Sequence, residues 1–80
     1  MDSEKLELLG FKPCDGSSLN TEQVNAIQNG MVVIKSKSEH RIKIFVMIDD
    51  IRYSIICKEA ERNTYLRKLD NPEIFGEEES

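Results

Sequence analysis

Residues 41–58 read RIKIFVMIDDIRYSIICK, and the period-two alternation on either side of Asp49-Asp50 leaves few folds open to this chain. Ile42, Ile44, Val46 and Ile48 share one side, and Ile51, Tyr53, Ile55 and Cys57 continue that set after the aspartates. A two-residue turn at Asp49-Asp50 pairs Ile48 with Ile51, Val46 with Tyr53, Ile44 with Ile55, and Ile42 with Cys57. Every apolar residue then meets another. A slip of one residue would turn the whole set to the opposite face, so the register is strongly specified.

MVVIKSK at 31–37, rich in β-branched residues, supplies a third strand. A two-residue connection to 41–48 would oppose Lys35 to Ile42. A three-residue loop, Ser38-Glu39-His40, instead aligns Val32 with Val46 and Ile34 with Ile44, and the pattern selects it. The strands 31–37, 41–48 and 51–58 thus form an antiparallel meander with 41–48 in the middle. Burying each apolar side chain of its inner face contributes about 1.5–3 kcal/mol, so that face dominates the fold.

Helical signals flank the strands. SEKLELL at 3–9 follows Asp2 or Ser3 as N-cap and stops at Gly10. KPCDGSS at 12–18 reads as a loop, because Pro13 breaks a helix and Asp15-Gly16 is a turn signal. NTEQVNAIQNG at 20–30 begins at Asn20 or Thr21, with Gln23 placed for a capping box, and ends at Asn29-Gly30. EAERNTYLRKL at 59–69 carries Glu59 and Glu61 at its start and Arg67 and Lys68 at its end, as the helix dipole favours. Asp70-Asn71-Pro72 closes it, and Ile74 and Phe75 are placed to dock back on the body. The fold class is α+β: two short N-terminal helices, a three-stranded antiparallel meander, a C-terminal helix and an acidic tail. Residues 1–75 make one small domain, and 76–80 form a disordered acidic tail.

The chain has 80 residues, 39% apolar and 32% charged, with a net charge of −4. That size supports one core and a stability of roughly 4–12 kcal/mol, with little room for a deep catalytic pocket. The charge is uneven: residues 1–30 carry −3, residues 31–69 carry +4 and residues 70–80 carry −5. No apolar run approaches the ~18 residues of a membrane span, and MDSEKLELLG lacks a signal peptide's basic start and apolar core. The expected location is cytoplasmic, without a membrane, and there Cys14 and Cys57 stay as thiols.

The outer side of the strands raises the functional question. It carries Lys35, Lys37, Arg41, Lys43, Arg52 and Lys58, no acid, and the apolar residues Val33, Phe45, Met47 and Ile56. Arg41 falls opposite Lys58, and Lys35 opposite Lys43, pairings that are mildly destabilising unless something neutralises them. One explanation is a second packing layer, with a short amphipathic helix over the apolar patch and lysine stems along its rim. The N-terminal LELLGF could supply that helix. The other is a binding surface, with Phe45 stacking on a base and the cations meeting phosphates, or with Phe45, Met47, Arg41 and Arg52 anchoring a protein interface.

Catalytic chemistry finds little support. His40 has only Ser38 and Glu39 near it in sequence, and neighbours in a tight turn seldom converge on one point. Asp49-Asp50 are turn formers at a solvated tip. The glycines are single, so no phosphate-cradling loop is present. Cys14, Cys57 and His40 lack the close pairs of a zinc site. No cofactor or metal is expected. The element order of three antiparallel strands followed by a helix resembles small DNA-binding domains that insert a sheet into the major groove, which implies a nucleic-acid role for the outer face. The leading expectation is a non-enzymatic interaction or regulatory protein that binds a partner protein through Arg41, Lys43, Phe45, Met47, Arg52 and Lys58 or the adjoining helices. The alternative is nucleic-acid binding through the same basic face. An edge strand, most readily 31–37, also offers a route to a homodimer.

Overall fold

A computed structural model describes residues 2–70 and 72–76. Helix α1 (Ser3–Leu9) leads to a two-residue strand β1 (Lys12–Pro13) and helix α2 (Thr21–Gln28). Strands β2 (Val33–Ser38), β3 (Arg41–Ile48) and β4 (Ile51–Lys58) follow, then a 3-10 turn (Glu59–Glu61) running into α3 (Arg62–Lys68). The sheet has four antiparallel strands in the order β1-β4-β3-β2. No helix among the described residues is long and apolar enough to cross a membrane.

The β3–β4 hairpin has the register that apolar pairing demands, with Ile42, Ile44, Val46 and Ile48 facing Cys57, Ile55, Tyr53 and Ile51. Asp49 and Asp50 both take left-handed backbone, φ 53° and 65°, the turn geometry that matches the right-handed twist of paired strands. Ile34 faces Ile44 across β2–β3. The expected three-residue loop is corrected: Ser38 belongs to β2 and pairs with Arg41, so the turn is Glu39-His40 and the odd residue is absorbed by a register shift between Ser36 and Ser38, with His40 at φ 65°.

Three helix ends follow from their capping residues. Asp2 caps α1 through the Lys5 N–H, and Gly10 ends it in left-handed backbone. Asn20 and Gln23 form a reciprocal capping box at α2, which satisfies two otherwise orphaned N–H groups.

The structure corrects the sequence reading of the fold in two further places. The sheet has a fourth strand, because Lys12 and Pro13 pair with Ser54 and Tyr53 along the free edge of β4. A two-residue strand leaves no period to read, and Pro13 disguises it as a loop, although proline is tolerated on an edge. The second correction concerns which helix lies on which face. Leu6 and Phe11 pack on the inner face with Ile42, Ile44, Tyr53, Leu66 and other core residues. The outer face is covered by α2, whose Ala26 and Ile27 pack on Val33 and Phe45. The sheet therefore has a core on each side. Cys14 and Cys57 are free thiols in the outer and inner cluster respectively, with the sheet between them.

After α3, Asp70 turns the chain at φ 67°. The segment around Ile74 then runs parallel to β2, joined by Val32 N–H to the Glu73 carbonyl (2.8 Å) and Phe75 N–H to the Val32 carbonyl (2.9 Å). Gly76 takes left-handed backbone, φ 70°. The expected acidic tail lies, beyond Gly76, outside the described residues.

Candidate functional site

On the outer face, residues stand in rows across the strands. Nearest the Asp49-Asp50 turn, Met47 pairs with Arg52; next come Val33, Phe45, Ser54 and Lys12; then Lys35, Lys43 and Ile56; last, Arg41 with Lys58. Helix α2 and the loop 14–19 cover the first two rows. The last two rows have no helix over them among the described residues.

This division sorts the six expected contact residues. Phe45 is 1% exposed, wedged among Ala26, Ile27 and Val33, so the expectation of an available aromatic anchor is corrected. Its position on the apolar half of the face made it the natural seat for a helix, since a Phe ring removes more apolar surface from water than its neighbours do. Met47 is half-buried against the same cluster. Arg52 is half-buried and its guanidinium Nη1 donates to the Asp15 carbonyl at 3.1 Å, while its Nε is buried without a partner. It acts as a strap over the loop. Gly16 makes room for that strap: at φ +67° a Cβ there would stand 2.5 Å from Arg52 Cδ.

Arg41, Lys43 and Lys58 remain together on the uncovered half. Arg41 and Lys58 are exposed and face each other. They line an open cleft of ≈ 490 Å³ at the sheet end, together with His40, Glu39 and Glu59. The Glu59 N–H donates to the His40 carbonyl (2.8 Å), and the Lys58 N–H to the Glu61 carboxylate (3.0 Å), which together hold the strand end. Lys43 is half-buried with its ammonium 5.2 Å from the Phe45 ring centroid, an arrangement that stabilises the cation through the ring's negative face.

Sequence reasoning passed over Lys12, Lys35, Lys37 and Ile56 as site residues. Lys35 donates its ammonium to the Ser18 carbonyl, so it is a fixed cation. Lys35, Lys37 and Lys43 line one cleft of ≈ 420 Å³ beside Ser17 and Ser18. Lys12, Lys43 and Ile56 line another of ≈ 440 Å³ on the far side of Lys43. Ile56 is 45% exposed, the apolar point among these cations. The alternation that placed Lys43 on this face also placed Lys35, Lys37 and Ile56, and was the available signal; Lys12 had none, because β1 was invisible.

Asp15 lines the cleft of Lys35, Lys37 and Lys43. The Ser17 N–H donates to it at 3.0 Å, and that hydrogen bond, followed by a second one from the Ser17 side chain and a smaller attraction to Lys43, holds its pKa below the ordinary 3.8. The charge is therefore kept at neutral pH and serves to shape the loop. No carboxylate stands on the sheet face itself. The arrangement suits an anionic ligand, whose charges would meet lysines spaced about 5 Å across the strands and about 7 Å along them.

Together these features define a small α+β domain: a four-stranded antiparallel sheet with helices on both faces and one basic, helix-free quarter. Compared with protein-family models, with curated proteins and with solved structures, the chain matches none of them.

Proposed function

We propose that this chain is a non-enzymatic binding domain that takes an acidic segment of a partner protein on the uncovered half of its outer sheet face. The observation that carries the reading is the cluster of Lys12, Lys35, Lys37, Arg41, Lys43 and Lys58 around the exposed Ile56, on a face without a carboxylate. An acidic segment with an apolar side chain meets both demands, since charge sets steering and register while Ile56 offers a patch to desolvate. A nucleic-acid partner is supported less well. Phe45 is the one aromatic that β2–β4 place on this face, and with α2 over it no ring is left there for a base to stack on.

The test is an amide-resolved NMR titration with a short acidic peptide carrying a leucine, run beside duplex DNA and duplex RNA at low and rising salt. The expected result is chemical-shift change at Lys12, Lys35, Lys37, Lys43 and Ile56 with the peptide, weakened by salt and by Lys43→Gln. Tighter binding of either duplex, or shifts confined to other surfaces, would overturn the proposal.

A further inference from the structure

The basic face ends at a strand edge that is paired at Val32 and, past it, has no main-chain partner among the described residues. Strand β2 pairs with β3 on one side. On the other side its neighbour is the segment around Ile74, bonded at Val32. In an antiparallel pair, alternate residues direct their N–H and C=O toward the partner and away from it. Val32 points its groups away from β3, to Glu73 and Phe75. Ile34 and Ser36 share that parity, so their groups also face outward. Among the described residues no main-chain partner is bonded to Ile34 or Ser36 on that side. Beside these outward groups stand Lys35, fixed by the Ser18 carbonyl, and Lys37, exposed, which line one cleft on the outer face. On the inner face of the same edge, Ile34 is only half-buried.

We infer that β2 is the docking edge for the partner, which adds as an extended strand beyond the Ile74 segment and bonds the main chain of Ile34 and Ser36. This deepens the proposed function and rests on it. The edge specifies the chemistry of that strand. Side chains alternate across a strand, so every second residue meets Lys35 and Lys37 and is acidic, and those between lie over Ile34 and are apolar. The repeat of about 7 Å along an extended peptide suits two cations two residues apart, although the register shift between Ser36 and Ser38 interrupts the regular spacing at Lys37. A second copy of this chain does not fit, because two β2 edges would oppose lysines to lysines. Lysines on an edge commonly deter self-pairing, and the same charges select an acidic strand. The recognition mode is strand addition, in which main-chain bonds give affinity and alternate side chains give specificity.

The experiment uses the whole chain and a short synthetic peptide of alternating glutamate and valine, with a version N-methylated at every second amide. The protein variants are Ser36→Pro, which deletes an outward N–H and leaves the β2–β3 bonds in place, and Lys35→Gln with Lys37→Gln. Strand addition predicts that the peptide N-methylated on its β2-facing edge binds about tenfold or more weaker, as expected for two or three lost hydrogen bonds, and that Ser36→Pro, which loses one, weakens binding about threefold to tenfold. It also predicts added hydrogen-exchange protection at Ile34 and Ser36. Normal binding of Ser36→Pro, with weakening only in the lysine variant, overturns strand addition and leaves the acidic-partner reading intact. Absence of binding by any acidic peptide overturns both. A wild-type dimer that Ser36→Pro converts to monomer in sedimentation assigns the edge to a second copy and overturns the inference. Were Ser36→Pro to misfold, the N-methylated peptide against wild type decides the matter alone.

Discussion

Replacing Phe45 by alanine tests the claim on which the layout of the outer face depends. The ring is 1% exposed, so truncation strips an apolar side chain from a site with little freedom to collapse. Burial of about 150–200 Å² of aromatic surface at about 25 cal/mol per Å² gives roughly 4–5 kcal/mol. Phe-to-Ala substitutions in protein cores cost a similar 3–5 kcal/mol. A domain of this size has roughly 4–12 kcal/mol in total, so Phe45→Ala removes a third of the stability at least and unfolds the chain at the low end. With a urea slope of about 1 kcal/mol/M for a small domain, the midpoint followed by far-UV circular dichroism falls by about 4–5 M or disappears. Phe45→Leu keeps an apolar side chain at the site and costs less, about 1–2 kcal/mol. The consequence should also be local. Helix α2 has 8 residues, too few to persist without packing. In Phe45→Leu, hydrogen-exchange protection of α2 therefore drops more than that of β3 and β4. If Phe45→Ala loses under about 1 kcal/mol, or α2 keeps its protection while the sheet loses its own, α2 is not what covers the ring.

Gly16→Ala places a methyl group against Arg52 Cδ at a positive φ, and the backbone conformation alone costs about 1–2 kcal/mol. Urea denaturation measures it, and an unchanged midpoint would mean that Arg52 does not clamp the loop. Cys57 provides a pH prediction. Burial, with a smaller contribution from Glu61, raises its thiol above the ordinary 9.0, so the folded state holds that proton more tightly than the unfolded chain. Its contribution to stability is complete below 9.0 and is lost as pH rises through the unfolded value towards the folded one. Urea midpoints measured from neutral pH upward should fall more steeply for wild type than for Cys57→Val, and parallel curves would refute the assignment.

The sheet register was legible because it is written in pairs. Ile42 with Cys57 and Ile44 with Ile55 belong to one alternating set, and any other turn length breaks several pairs at once. The cap at Asn20 was legible because a capping box is local. What stayed hidden depends on residues far apart in sequence. Lys12 and Pro13 find Ser54 and Tyr53 across the chain with no pattern to announce it. The segments 3–11 and 20–30 both offer short apolar stripes, so their composition does not say which face each covers. Pairing of β1 with β4 accompanies α1 on the inner face and delivers the loop 14–19 to the outer one. The strap and anchor of that loop were equally hidden, because Arg52 and Lys35 end on main-chain carbonyls of Asp15 and Ser18, acceptors that every residue possesses.

The way the like-charged pairs are relieved bears on how the face can act. Lys35 stands opposite Lys43, and Arg41 opposite Lys58, pairings that cost stability. For the first pair the fold supplies neutral partners, a carbonyl at Ser18 for Lys35 and the Phe45 ring for Lys43. A carbonyl dipole or a ring quadrupole steadies a cation without cancelling its charge, whereas a carboxylate would remove the positive field. Meanwhile α2 hides Val33 and Phe45, the apolar surface that would otherwise drive association. The face that remains is held in place, still charged, and poor in hydrophobic area apart from Ile56. Binding to such a surface draws on electrostatic steering, which accelerates encounter and weakens with salt, and needs a second source of affinity to make the complex last. The outward main chain of Ile34 and Ser36, alongside Lys35 and Lys37, is the source we infer, and it does not require the apolar layer beneath α2 to be uncovered.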